Sequence, residues 1–270
     1  HDALPIYIIC DEDISMNCRC SDKTMYGLID RDSDQEIFTF VDFDNPSFER
    51  TYTYKDFDVE VNKAAKALIK SGVKKGSHVG LWMNSTPEWF IYFFAIEKIG
   101  AIAVPINKDN RSNEMRHVLE KCDIDTIIMS NGHSRNCYMN TMKELIPEMR
   151  NGSVKNNRFP HLRNIVTVGF HENGCVSHED FISNGEIVSD EEVNDMVSNV
   201  YNDDIAIILP TSGTTGNPKF VMLRHEAIIH NGNYIGDGLE LNQNDTMGII
   251  VTMFHCFGMI QVHTHLPPAR

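Results

Sequence analysis

The chain has 270 residues, 41% of them hydrophobic, which is enough apolar material for a real core and sets aside a disordered or fibrous chain. Its net charge is −14, and residues 1–60 carry 15 acidic against 5 basic side chains, so no basic stripe is left to hold nucleic acid. Seven cysteines (Cys10, Cys18, Cys20, Cys122, Cys137, Cys175, Cys256), irregularly spaced in a chain too long to need staples, read as mostly reduced thiols of an intracellular protein.

Residues 1–50 are the least legible part, with short strands expected at Tyr7–Ile9 and Glu36–Val41 and Asp-rich loops between them. From Thr53 the pattern sharpens. Thr53 with Asp56 three residues on has the form of a capping box, and Phe57, Val61, Ala64, Ala65 and Leu68 fall on one helical face before Gly72. His78–Met83 reads as a buried strand. Thr86-Pro87 then opens a helix whose body, Trp89–Ile96, is apolar nearly all round. Glu97-Lys98 stops that run well short of the roughly 20 residues of a membrane span, so a core helix is expected.

Further along, Ala101–Val104 and Thr126–Met129 read as strands on either side of a helix over Asn113–Cys122. A helix follows near Met142–Met149, a strand at Asn164–Val168, and a polar acidic surface excursion at Ser183–Ser198. The strand Ile205–Leu209, a strand at Phe220–Leu223 and a helix over His225–Tyr234 complete the series. Strands alternating with helices at this spacing predict an α/β protein with mostly parallel sheets flanked by helices.

The chemistry concentrates between the last two strands. Thr211 to Gly216 supplies four hydroxyl residues and two glycines, and Lys219 follows. Backbone N–H groups, hydroxyls and one ammonium curled round a small anion make a phosphate cradle. The bland alternative is a polar turn between two strands. The P-loop of the common NTPases does not fit, since Pro218 precedes Lys219 and Phe220 follows it. A second stretch, Val251–Gly258, sets Phe254 and His255 near a glycine. The ordinary alternative for His255 is a buried histidine bonded to a carbonyl. Cys256, His263 and His265 match no common zinc spacing, and Cys18-Arg-Cys20 is not a redox Cys-x-x-Cys, so no protein metal site is expected.

The order TSGTTG-x-PK directly after the apolar run Ile205–Leu209 resembles the phosphate-loop signature of the adenylate-forming superfamily of acyl-CoA synthetases and related AMP-binding enzymes. TYTYKDF, HVGLWMNSTPEW, GAIAVPIN and EMRHVLEKC, in that order, resemble the N-terminal half of the short- and medium-chain fatty acyl-CoA synthetases, covering roughly residues 50 to 260. The resemblance implies that residues 1–270 are a partial AMP-binding N-terminal domain, with the C-terminal domain absent. It implies a fatty acid–CoA ligase that makes an acyl-adenylate from ATP and then a thioester with CoA, with Mg²⁺ carried by the nucleotide.

Carried over residue by residue, Thr211, Ser212, Gly213, Thr214, Thr215, Gly216, Asn217, Pro218 and Lys219 would bind the phosphates. Phe254, His255 and Gly258 would line the acyl site, with His255 and Lys219 in catalytic roles. Fatty acid, ATP and CoA are the implied partners, in a mitochondrial or cytoplasmic compartment, with no membrane span. Phe220 stands where the family signature has glycine, and Thr252 where many members have proline. Nothing matches the family's Tyr-Gly-x-Thr-Glu segment, its ribose-binding aspartate or its C-terminal lysine, so this chain alone is expected to be inactive. The alternative is a truncated isoform acting at most as a nucleotide-binding or interaction module.

Overall fold

The computed structural model describes residues 24–29, 31–41, 49–133, 136–211, 218–241 and 245–264. The strand expected at Tyr7–Ile9 lies outside them.

An antiparallel hairpin comes first, β1 (Glu36–Val41) paired with β2 (Glu49–Thr53). Thr53 then caps helix α1 (Tyr54–Lys70), its hydroxyl oxygen accepting from Asp56 N–H at 3.0 Å. The Asp56 carboxylate takes the Thr53 O–H at 2.8 Å instead of reaching back to the Thr53 amide, a variant of the box expected from sequence. At the other end Gly72, with φ +92°, closes the helix, Val73 N–H reaching Leu68 O and Gly72 N–H reaching Ile69 O. A left-handed residue is required there, which is why glycine follows the last apolar position.

The chain continues through β3 (His78–Trp82), α2 (Pro87–Lys98), β4 (Ile102–Pro105), α3 (Ser112–Lys121) and β5 (Thr126–Met129). A two-residue pair, β6 (Gly132–His133) and β7 (Asn136–Cys137), leads into α4 (Tyr138–Leu145). That helix begins earlier than expected, and it also ends earlier because Pro147 cannot continue it and opens a 3-10 turn over Pro147–Asn151. Next come β8 (Asn164–Thr167), β9 (Val176–Ser177), α5 (His178–Gly185), α6 (Asp190–Val197), β10 (Ile205–Pro210), β11 (Phe220–Arg224), α7 (His225–Gly238) and α8 (Cys256–Thr264). The acidic run expected as a surface excursion contains α6. Asp190, Glu191 and Glu192 occupy its first turn behind the Ser189 cap, where negative charge is favoured, and Val193 is buried.

Among the described residues seven strands form one sheet in the order β11-β10-β4-β3-β5-β8-β9, every neighbouring pair parallel except β10 with β11. Alternation along each strand divides the core into two faces. Val79, Leu81, Ala103, Ile128, Val166, Ile207 and Leu209 meet α1, α2, α5 and α7 on one side. Trp82, Ile102, Val104, Ile127, Met129, Ile165 and Ile208 meet α3 and α4 on the other. Helix α2 has no polar face to offer water, and Trp89 through Lys98 are all buried. Trp82 stacks on Tyr138 at 4.1 Å between ring centres, and its indole N–H donates to Asn107 O at 3.1 Å, tying down the loop after β4. The result is an α/β fold with a mostly parallel sheet flanked by helices. Among the described residues no helix is long and apolar enough to cross a membrane.

Candidate functional site

Strands β10, β4 and β3 run the same way, so the segments that leave their carboxyl ends share one edge of the sheet. In open α/β sheets that edge is where ligands gather. The hydroxyl-rich stretch leaves β10 there and returns as β11, with Pro210 facing Phe220 in the antiparallel register. Its central residues Ser212, Gly213, Thr214, Thr215, Gly216 and Asn217 lie outside the described ones. Both of its ends are described. Thr211 N–H donates to Lys219 O at 2.8 Å, and Lys219 N–H donates to Thr211 Oγ1 at 3.1 Å. Thr211 and Lys219 therefore close the base of the turn with two bonds, and the Lys219 side chain is exposed. Thr211 Oγ1 accepts that bond, and a hydroxyl has a hydrogen to donate as well.

Pro218 is fixed from outside the turn. Its carbonyl lies 2.9 Å from His117 Nε2 on α3, and since a carbonyl only accepts, Nε2 carries the proton. Phe220, which stands where the family signature has glycine, lies beyond the turn as the first residue of β11. It is half-buried on the α3 face of the sheet, its ring centre 5.5 Å from that of His117.

The second motif lies on the same sheet edge. Met253 N–H donates to Ser85 Oγ at 3.4 Å, and Ser85 belongs to the turn that leaves β3. With only β4 between β3 and β10, the two attachments are separated laterally by two strand spacings, about 10 Å.

His255 is exposed, so the alternative of a buried, carbonyl-bound histidine does not describe it. Its Nδ1 accepts from Phe257 N–H at 3.3 Å, which makes the imidazole the cap of α8. An accepting Nδ1 puts the proton of the neutral ring on Nε2, a donor. Phe254 is half-buried. Gly258 is buried on α8, and a Cβ there would sit 2.7 Å from Thr252 O, so the close approach it permits within the chain is to that carbonyl.

His117 and Ser85 were not among the residues singled out from sequence. Ser85 had a signal in its position just past a parallel strand. His117 had none, its partner being 101 residues away.

A family model described as AMP-binding enzyme matches residues 30–266. YngI of Bacillus subtilis (strain 168), which carries the name of an acyl-CoA synthetase, is 33% identical over 213 residues, 77% of this chain and 39% of its own length. The mitochondrial medium-chain acyl-CoA ligase ACSF2 of Danio rerio is 28% identical over 244 residues, 88% of this chain and 39% of its own. This chain thus spans well under half the length of these relatives. Among solved structures, the anthranilate CoA ligase AuaEII in complex with anthranoyl-AMP superposes with a TM-score of 0.70 at 23% identity, over 92% of this chain and 46% of that one. With the motif order, the sheet and the family match in agreement, the chain belongs to the AMP-binding enzyme family.

Proposed function

We propose that this chain carries the phosphate-binding and acyl-binding part of a fatty acid–CoA ligase. The observation that supports the reading most is that the segment carrying the hydroxyl–glycine–lysine sequence leaves β10 at the carboxyl edge of the sheet and is closed at its base by Thr211 and Lys219. In the proposed reaction a carboxylate oxygen of the fatty acid attacks the α-phosphorus of MgATP. A P–O bond forms there as the bond from α-phosphorus to the bridging oxygen breaks, releasing pyrophosphate. The thiol of CoA then attacks the acyl carbon, AMP leaves, and the thiol proton passes to solvent.

The chain's part in the first step is to position reactants and stabilise charge. Thr211 through Lys219 would hold the β- and γ-phosphates. The Lys219 ammonium and the Thr211 hydroxyl would donate to oxygens whose charge grows as pyrophosphate departs. His255, with Nε2 as donor, would support the incoming carboxylate or the α-phosphate, while Phe254 lines the acyl chain. Of the two compartments left open by the sequence, the ACSF2 relatives support the mitochondrial one.

The test is octanoate-dependent pyrophosphate release from MgATP, with hydroxylamine trapping of the acyl-adenylate. Release that depends on octanoate and falls sharply in Lys219→Ala supports the ligase reading. As this chain alone is expected to be inactive, the deciding result without turnover is binding: MgATP binding with no binding of octanoate favours a nucleotide-binding module instead.

A further inference from the structure

Among the described residues, the exit of the turn after β10 is held from two directions, and one bond comes from a residue outside both strands. Lys219 uses its N–H and its C=O on Thr211. Pro218 has no N–H, and its C=O accepts from His117 Nε2–H. Phe220 then packs beside the same imidazole, the two rings inclined by 31°. We propose that His117 is a positioning residue for the phosphate turn, clamping its exit through Pro218 while Phe220 braces the imidazole; the inference rests on the phosphate reading of residues 211–219.

The physical case begins with α3. Met115, Val118 and Leu119 of that helix are buried against the sheet, so the backbone that carries His117 is fixed by core packing. A donor on a rigid helix restrains an acceptor on a loop more than a solvent-facing bond would, because the helix does not follow the loop when it moves. Phe220 stands beside the ring and is packed against the α3 side of the core. Glycine in its place would give the imidazole nothing to rest on and would free the backbone next to Lys219. The large residue at this position thus restricts the turn's exit from the strand side, as His117 does from the helix side. Lys219 lies between the two restraints, its backbone fixed and its side chain exposed. The clamp therefore acts on the turn's shape and on where the ammonium starts from, without His117 touching the phosphates.

The experiment compares the unmodified chain with His117→Ala, His117→Gln and Phe220→Gly. Amide exchange at Thr211 and Lys219 is followed without ligand, with Ile127 in the sheet centre as reference, and inorganic pyrophosphate is the binding probe. Removing one net hydrogen bond should speed exchange at Thr211 and Lys219 in His117→Ala about fivefold, leave Ile127 unchanged, and weaken pyrophosphate binding by a similar factor. His117→Gln, which keeps a side-chain N–H donor, should recover at least half of both effects. Phe220→Gly should speed exchange at the same two amides by less than His117→Ala. Unchanged exchange at Thr211 and Lys219 in His117→Ala overturns the clamp whether or not pyrophosphate binds. So does a rise equal to that at Ile127, or failure of the Gln variant to recover, since either marks a merely structural histidine. Absence of pyrophosphate binding by the unmodified chain, with exchange responding as expected, overturns the phosphate reading instead.

Discussion

Gly185 and Gly238 are each the last residue of a helix, α5 and α7, and an alanine at each meets very different surroundings. A Cβ on Gly185 would lie 2.5 Å from Ala67 N, 2.7 Å from Ala67 Cα and 2.9 Å from Lys66 C, all backbone of α1. Ordinary carbon contacts lie near 3.5–4.0 Å, so α5 must retreat by about 1 Å. Neither helix can yield by turning a side chain. Overpacking of this kind costs about 1–3 kcal/mol. At Gly238 nothing lies within 4 Å, so only the reduced freedom of the unfolded chain counts, and alanine should stabilise by about 0.5 kcal/mol.

Because both positions end a helix, the intrinsic gain is shared, and the difference between the two variants isolates the α1–α5 contact. For a chain of 270 residues, 1 kcal/mol corresponds to about 2 °C in the unfolding midpoint. Gly185→Ala should therefore melt about 2–6 °C below Gly238→Ala, with urea midpoints falling in step at unchanged slope. A Gly185→Ala variant that melts at or above Gly238→Ala would refute the close packing of α5 on α1.

Two further predictions concern buried and capping groups. Glu97 on α2 is fully buried 3.2 Å from His225 Nδ1, a nitrogen that already accepts from Met25 N–H, and burial holds its carboxyl well above the ordinary range. The folded chain thus keeps a proton that the unfolded chain has lost above pH about 4.5, so Glu97 makes stability fall as pH rises from there. Glu97→Gln should flatten that fall in denaturant midpoints measured across pH 5 to 8; an unchanged slope would show the carboxyl to be ionised in the folded state. Thr53→Ala removes the α1 cap and should cost about 1 kcal/mol, with faster exchange at the Asp56 amide, which loses its acceptor.

Much of the layered fold was legible because its signals are local. The apolar spacing of Phe57, Val61, Ala64 and Ala65, the Pro87 start and the buried Thr126–Met129 run each specify an element without reference to distant chain. The strand at Glu49–Thr53 was hidden because three of its residues are exposed and its order comes from pairing with β1. Helix α6 was hidden by its own charge, since three acidic residues in a row resemble a solvated loop unless Ser189 is read as a cap. At the candidate site, the hydroxyl–glycine order and the flanking strands were legible. The contribution of α3 was not, because nothing near His117 in sequence points to Pro218.

The most direct test of the account is calorimetric binding of MgATP to the unmodified chain and to Lys219→Ala at one ionic strength. If Thr211 through Lys219 cradle the phosphates, loss of one charge-assisted donor should weaken binding roughly tenfold or more while the thermal midpoint without ligand stays the same. Equal affinity in the two proteins would contradict the assignment of phosphate binding to this turn.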